Sequence, residues 1–160
     1  MNDGLIYMTR EGYDKFQEQI NHLKTVRRKE ISIQLHDAHA HGDLGENAEY
    51  EAAKEVQTFN EMKIIELESK LAGARIMSEV NMPLGKALLG TTVSLRDCKT
   101  GEEITYKLVS ELEADFAEDK ISVSSPVGKG LLGHKEAEIV EIKVPAGIMK
   151  YEILKIERTA

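Results

Sequence analysis

Carboxylates are concentrated in one short stretch, residues 42–50, which reads Gly-Asp-Leu-Gly-Glu-Asn-Ala-Glu-Tyr. Asp43 and Glu46 are three positions apart, a spacing that suits two kinds of chemistry. In a capping box, Asp43 is the N-cap of a helix and Glu46 reaches back to the amide of the cap residue. Alternatively, both carboxylates ligate a divalent cation. Two carboxylates are too few to hold Mg²⁺ tightly, because this ion keeps several waters and needs further ligands. In that case they complete a metal site that another molecule supplies in part.

The acidic stretch lies between two long segments with helical periodicity. The first runs from Thr9, a predicted N-cap, to about His41, and the second from about Asn47 to Met77; neither contains proline. Two long helices joined by a short loop run antiparallel, and about thirty residues make a rod of roughly 45 Å. We therefore predict an antiparallel coiled-coil hairpin with acidic residues at its tip.

The apolar residues of both segments recur at spacings of three and four, which places them on one face of each helix. In the first segment they are Tyr13, Phe16, Ile20, Leu23, Val26, Ile31, Leu35 and Ala38. In the second they are Ala52, Val56, Phe59, Ile64, Leu67, Leu71 and Ala74. We expect these residues to form the contact between the two helices.

After the second helical segment the pattern changes to that of strands. Residues 79–85 include Asn-Met-Pro-Leu-Gly, which is typical of a linker. Beyond it, five short segments alternate in polarity or are rich in β-branched residues: Thr91–Leu95, Ile104–Val109, Ile121–Val123, Ala137–Val144 and Lys150–Glu157. We predict an α+β protein, with a hairpin over residues 1–78, a linker over 79–85 and a small antiparallel-sheet domain over 86–160.

The composition excludes several classes of protein. The chain has 28 acidic and 21 basic residues among 160, a formal net charge of −7. This charge argues against tight binding to naked nucleic acid, because phosphate contacts need a basic surface. A single cysteine, Cys98, cannot form an internal disulfide. The sequence shows no signal-peptide pattern and no apolar run near the roughly 18 residues of a membrane span. We expect a cytoplasmic protein with no membrane partner.

Several motifs together resemble one known family. The stretch 42–50, followed by Ala52-Ala53-Lys54, is similar to the tip signature of the Gre transcript cleavage factors, of the A type. Further similar runs are Leu23-Lys24-Thr25-Val26-Arg27-Arg28, Glu113-Ala114-Asp115-Phe116, Ile121-Ser122-Val123-Ser124-Ser125-Pro126 and Lys129-Gly130-Leu131-Leu132-Gly133. The resemblance covers essentially the whole chain and implies that the second domain is FKBP-like.

The resemblance implies an accessory factor rather than an enzyme. A factor of this family is a bacterial transcription elongation factor that binds RNA polymerase and inserts its coiled coil into the secondary channel. There it stimulates the polymerase's own cleavage of nascent RNA in backtracked or arrested complexes. Asp43 and Glu46 match the two tip acids of the family, and Asn47, Glu49 and Tyr50 would support them.

Metal chemistry agrees with that role. Hydrolysis of a phosphodiester by two metals needs both cations about 4 Å apart. We therefore expect Asp43 and Glu46 to share a Mg²⁺ with the polymerase active site. The isolated protein is expected to be a monomer that binds no cofactor.

The resemblance implies two further surfaces. His39, where the family commonly has arginine, and Lys54 are expected to face the 3′ end of the nascent RNA, and a neutral histidine would weaken that contact. The second domain is expected to dock on a coiled coil of the largest polymerase subunit, at the rim of the channel. The residues expected to make this contact are Asp115, Phe116, Ser124, Ser125 and Pro126; core packing is the alternative for Phe116.

Two other functions remain open from the sequence. An FKBP-like domain suggests a prolyl isomerase or chaperone, but an isomerase pocket needs aromatic walls, and the second half has only Tyr106, Phe116 and Tyr151. A Gre-like inhibitor would occupy the channel without activating cleavage. The presence of both Asp43 and Glu46 argues against that alternative.

Overall fold

The computed structural model describes residues 6–40, 47–77 and 83–158. The chain forms two compact units: Tyr13–Ala74 make one, and the described residues before and after them make the other. The first unit is helical and the second contains the main sheet, which confirms the predicted α+β class. Within the described ranges, no helix is long and apolar enough to cross a membrane.

The helical unit is a hairpin of two arms. The first arm contains α1 (Arg10–His22), a π-helical segment (Leu23–Arg27) and α2 (Arg28–Ala40). The second arm is α3 (Ala48–Ala72). Thr9 caps the start of α1 as predicted, because its hydroxyl accepts the amide of Gly12 at 3.1 Å. The second arm ends at Ala72, five residues before the predicted end at Met77, since Gly73 forms its C-cap and a strand follows.

The contact face of the hairpin differs in part from the predicted stripe. On the first arm Ile20, Ile31 and Ala38 are buried, and on α3 the buried residues are Ala53, Asn60, Ile64, Leu67 and Leu71. The prediction was wrong for Val26, which is 46% exposed in the π-helical segment, for Ala52 and for Phe59, which is 68% exposed. Successive helical residues point about 100° apart, so a face that buries Ala53 and Asn60 turns Ala52 and Phe59 outward.

Ion pairs connect the two arms on their solvent side. The guanidinium of Arg28 donates to both carboxylate oxygens of Glu61, at 2.9 and 2.8 Å, and Lys24 pairs with Glu68. The hydrogen bond from Arg28 lowers the pKa of the Glu61 carboxyl below its usual range. Because both groups are exposed to water and salt, such pairs contribute little to stability. They favour the antiparallel pairing of the arms.

The second unit is built on a five-stranded sheet. Its strands are β3 (Thr91–Asp97), β4 (Glu103–Val109), β5 (Lys120–Ser122), β6 (Ile139–Val144) and β7 (Gly147–Arg158). They lie in the order β5-β4-β3-β7-β6. All five correspond to predicted segments. The core between the sheet and the short helix α4 (Pro126–Leu131) contains the fully buried Leu95, Leu108, Leu131 and Ile153.

One strand pair corrects the prediction of a purely antiparallel sheet. β5 runs parallel to β4, with Leu108 opposite Ile121. The chain cannot make this pairing through a tight hairpin, because parallel neighbours need a crossover connection. Here the connection contains a 3₁₀ turn, Phe116–Glu118. The other sheet neighbours are antiparallel.

Two short strands that the sequence analysis did not predict flank the hairpin in the chain. β1 (Ile6–Met8) pairs with β2 (Ala74–Ile76), and the amide of Met77 donates to the carbonyl of Met8 at 2.9 Å. With three residues each, they are too short for a period-two pattern to be recognised.

The start of α1 is bonded to the loop after β4. The carboxylate of Glu113 accepts the amide of Thr9 at 3.2 Å, its hydroxyl, and the hydroxyl of Ser110 at 2.7 Å. Thr9 and Ser110 are both buried. A Cβ at Gly12 would lie 1.9 Å from a Glu113 oxygen, so this approach requires glycine at position 12.

Candidate functional site at the hairpin tip

Asn47 joins the two arms of the hairpin at the tip. Its side-chain oxygen accepts the amide of Tyr50 at 3.1 Å, which makes it the N-cap of α3. Its side-chain amide donates to the carbonyl of Ala38 in α2. One side chain therefore both starts α3 and ties it to the end of the first arm.

This cap corrects the capping-box interpretation of the tip. That interpretation gave the N-cap to Asp43, whereas α3 begins at Ala48 with Asn47 as its cap. Asp43 and Glu46 themselves lie outside the residues that the structure describes. Both belong to the connection between Ala40 and Asn47, which the Asn47–Ala38 hydrogen bond closes. The prediction that they ligate a shared Mg²⁺ stays a prediction.

The two residues predicted to face RNA both lie next to Tyr50. The rings of His39 and Tyr50 are 6.1 Å apart between centroids and tilted by 58°. The ammonium of Lys54 lies 6.0 Å from the centre of the Tyr50 ring, within reach of a cation–π attraction. His39 belongs to α2, and Tyr50 and Lys54 follow each other by one turn of α3. We call these three residues the tip platform.

Metal ligation at the tip depends on which acidic side chains lie together. Acidic side chains occur near the tip at Asp37 and Glu49, which line a shallow groove between the arms. However, no group of three or more His, Cys, Asp or Glu that could hold a metal lies together in the ranges 6–40, 47–77 and 83–158. A metal at the tip would therefore need ligands from residues 41–46 or from another molecule.

The predicted docking residues lie at the two ends of β5. Asp115 caps the 3₁₀ turn by accepting the amide of Ala117 at 3.0 Å, and its backbone pairs with Lys120 at the start of β5. Phe116 is 82% exposed, which excludes core packing as its role. A large aromatic side chain that is this exposed is available for contact with a partner.

The other end of β5 leads into the serine loop. Ser125 is the N-cap of α4: its hydroxyl accepts the amide of Gly128 at 3.1 Å and donates to the carbonyl of Ser122 at 2.6 Å. Pro126 occupies the first turn of α4, and the hydroxyls of Ser122 and Ser124 are 2.7 Å apart. Since Lys120 and Ser124 are four residues apart, the two loops are separated by no more than about 13 Å.

Two of the three aromatic residues in the second half of the chain lie in different surroundings. Tyr151 is 4% exposed and belongs to the core, where its hydroxyl donates to the sulfur of Met149. Phe116 is exposed on the 3₁₀ turn. These two rings therefore do not form the walls of one pocket.

Sequence reasoning missed three residues that organise these regions. It assigned no role to Glu113 and did not select Asn60, and it placed the cap four residues before Asn47. A usable signal existed for Asn47, because asparagine is as good an N-cap as aspartate and stands directly before the helical pattern. One partner of Glu113, Ser110, is three residues away, but the other, Thr9, lies more than a hundred positions away, so no local pattern shows that contact.

Comparison with known proteins decides the family. Residues 6–76 match the family described as "Transcription elongation factor, N-terminal", and residues 82–158 match "Transcription elongation factor, GreA/GreB, C-term". The chain belongs to the GreA/GreB family of transcription elongation factors. The predicted resemblance is thereby confirmed over both halves of the chain.

Curated relatives assign this GreA/GreB member to the GreA type. Transcription elongation factor GreA of Chloroherpeton thalassium is 49% identical over 151 residues, which cover 94% of this chain and 96% of that protein. GreA of Pelobacter propionicus is 49% identical over 152 residues, with 95% and 96% covered. Among solved structures, the GreA factor homolog 1 (Gfh1) of Thermus thermophilus is 29% identical, covers 96% of this chain and 99% of its own, and has a TM-score of 0.43. That TM-score is too low to support an argument, so the GreA type rests on the sequence relatives.

Proposed function

We propose that this GreA-type factor binds RNA polymerase, places its hairpin tip in the secondary channel and stimulates the polymerase's cleavage of backtracked RNA. The observation that carries the proposal is the tip itself. Its two arms are bonded together by Asn47, and the short connection that this bond closes contains Asp43 and Glu46. Carboxylates in the short sequence between the two arms suit delivery into a narrow site on another molecule.

The donor set of the tip fits a hard cation. Carboxylate oxygens are ligands of Mg²⁺, and two of them complete a site that already has other ligands. A Mg²⁺ bound there would activate water or stabilise the leaving oxygen of the RNA phosphodiester. The contribution of this chain is to supply and orient the Asp43 and Glu46 carboxylates. The polymerase remains the enzyme, and this chain is its accessory factor.

The tip platform would hold the end of the RNA. Lys54 offers a positive charge to a phosphate, and the Tyr50 ring offers a surface on which a base can stack. His39 adds a second ring to the platform. Because arginine carries a permanent positive charge and histidine does not, we infer that the RNA contact of this protein is weaker than it would be with arginine at position 39.

The loops at the two ends of β5 would dock on the rim of the channel. Phe116 offers an exposed aromatic side chain. Ser124, Ser125 and Pro126 form a polar turn in which both serines hydrogen-bond to Ser122. A partner surface that covers Phe116 would remove its large apolar area from water. We infer that docking determines the affinity for polymerase and that the tip determines the rate of cleavage.

The test is a titration of the full-length protein into a stalled, backtracked elongation complex. Short RNA fragments from the 3′ end should form faster than with polymerase alone, and the rate should saturate. Saturable binding without additional fragments would contradict the proposal and favour the channel-binding inhibitor.

A further inference from the structure

Asn60 is unusual within the hairpin. It is 7% exposed, and in the described part of Tyr13–Ala74 it is the one buried polar side chain. It lies on the contact face of α3, in line with the apolar Ala53, Ile64 and Leu67. Burying an amide among apolar side chains costs free energy unless the amide is hydrogen-bonded. Its side-chain nitrogen donates to the backbone carbonyl of Leu23 in the first arm, at 3.2 Å.

The partner carbonyl belongs to the π-helical segment Leu23–Arg27. The amide of Arg28 also donates to this oxygen, a bond to the fifth residue back that defines a π turn. None of the five side chains of the segment is buried, and the hydroxyl of Thr25 donates to the carbonyl of Asn21 at 2.7 Å. At this level the first arm therefore presents a backbone oxygen to α3. Single π turns within α-helices are rare and frequently occur at functional sites.

A hydrogen bond of this kind restricts sliding of the arms. Apolar side chains such as Ile64 and Leu67 can repack after a shift of one helical turn. The hydrogen bond from Asn60 to the Leu23 carbonyl is lost when the two atoms move apart by about 1 Å. Single buried asparagines fix the register of coiled coils for this reason, at a cost in stability. The exposed pair Arg28–Glu61 is a weak restraint by comparison.

Register matters for the tip because the connection is short. Only seven residues join Ala40 to Ala48, so a slide of one turn, about 5.4 Å, must be absorbed within them. Those seven residues include Asp43 and Glu46. We propose that Asn60, bonded to the Leu23 carbonyl, is a positioning residue that fixes the register of the hairpin and thereby the placement of the tip acids. The effect on cleavage rests on the proposed function, whereas the effect on register does not.

The register is measured by spin-label distances in the full-length protein. Labels are placed at Ser32→Cys and Ser69→Cys, both exposed serines on opposite arms. Cys98→Ser removes the free, exposed cysteine that would also take a label. Leu23 and Asn60 lie at the same level of the hairpin. Ser32 is nine residues beyond Leu23 toward the tip, and Ser69 is nine residues beyond Asn60 away from it. At 1.5 Å per residue, the two sites are about 27 Å apart along the hairpin axis. Asn60→Leu should shift or broaden the distance distribution by about 5 Å, one helical turn. Asn60→Ala removes the same donor with less bulk and is the second variant.

Cleavage and stability are measured in parallel without the labels. Asn60→Leu should keep or raise the melting temperature, because replacing a buried polar group by an apolar one is often stabilising. It should lower the maximal rate of stimulated cleavage roughly tenfold or more, since small misplacements of reacting groups are costly. The protein concentration at half-maximal rate should not change. Thr58→Leu, a polar-to-leucine change at an exposed site two residues away, is the matched control and should alter none of these quantities.

The outcomes separate the two parts of the inference. An unchanged distance distribution in both Asn60 variants would overturn the role in register. A changed distribution with a wild-type maximal rate would overturn the link to the tip. If the wild-type protein itself stimulated no cleavage, the proposed function would fail, and the spin-label distances alone would decide the role of Asn60 in register.

Discussion

Asn47 offers a quantitative test of how the tip is held. It makes two bonds with distinct roles: an N-cap bond to the amide of Tyr50 and a cross-arm bond to the carbonyl of Ala38. An N-cap contributes about 1 kcal/mol, and a hydrogen bond to a carbonyl near the buried Ala38 contributes about 1 kcal/mol as well. Asn47→Ala removes both and should lower the free energy of unfolding of the hairpin by about 2 kcal/mol.

Serine at the same position separates the two bonds. Serine is a good N-cap, but its short side chain cannot also reach across to Ala38. Asn47→Ser should therefore lower the free energy of unfolding by about 1 kcal/mol, half of the loss in Asn47→Ala. Asn21→Ala, the same change at an exposed site within α1, is the control and should be neutral or slightly stabilising, because alanine is the better helix former.

Two measurements are needed. Urea unfolding followed by far-ultraviolet circular dichroism gives the loss in stability of the helices. Hydrogen exchange at the Tyr50 amide reports the cap itself, and exchange should be about fivefold faster in Asn47→Ala for each kcal/mol lost locally. Asn47→Ser should retain most of that protection. If both variants lay within about 0.5 kcal/mol of the wild type, the range of ordinary surface substitutions, Asn47 would not hold the tip.

Three further predictions follow from other contacts. Phe116→Ala should raise the protein concentration needed for half-maximal cleavage by about tenfold while leaving the maximal rate unchanged; a lower maximal rate at unchanged half-saturation would contradict its role in docking. Gly12→Ala should destabilise the protein by roughly 1–2 kcal/mol in urea unfolding. Its Cβ would displace the Glu113 carboxylate and leave the buried hydroxyl of Ser110 without its partner, and the better helix propensity of alanine offsets part of that loss. A variant as stable as the wild type would show that this contact is dispensable. Glu61→Gln should lower the melting temperature at neutral pH. The folded pKa of Glu61 lies below its usual value near 4.5, so the difference from wild type should shrink as the pH falls through that folded pKa. A difference that persists in strong acid, or that matches the exposed control Glu55→Gln at every pH, would contradict the ion pair with Arg28.

The sequence predicts the larger elements of this fold because their apolar residues recur with a clear helical or strand periodicity. Five strand segments and two long helical runs were found, and Thr9 was correctly assigned as a cap. The missed elements, β1 and β2, have three residues each and depend on pairing between distant segments. The parallel pairing of β5 likewise depends on the crossover connection rather than on the composition of the strand.

For the hairpin and its tip, the residue types indicated which residues matter, but they did not predict the contacts that those residues make. Hydrophobicity favoured Phe59 as a contact residue, whereas the π turn presents a carbonyl that needs the adjacent amide of Asn60. The tip platform was predicted only in part: His39 and Lys54 came from the resemblance, and their arrangement around the Tyr50 ring required the antiparallel register. These are tertiary effects, and a one-dimensional pattern does not contain them.

The central claim is that the tip acids supply charge to the chemistry of cleavage. Asn47, not Asp43, is the N-cap of α3, so Asp43→Asn should not affect the start of that helix, and a loss of activity would be assigned to the chemistry.

The most direct measurement is the rate of RNA cleavage in a backtracked complex at saturating concentrations of Asp43→Asn and of Glu46→Gln. Each variant keeps the size of the side chain and removes its charge. The maximal rate should fall on the order of a hundredfold, about 2.7 kcal/mol in the transition state, with half-saturation unchanged and partial recovery at raised Mg²⁺. Wild-type cleavage by Asp43→Asn would contradict the claim.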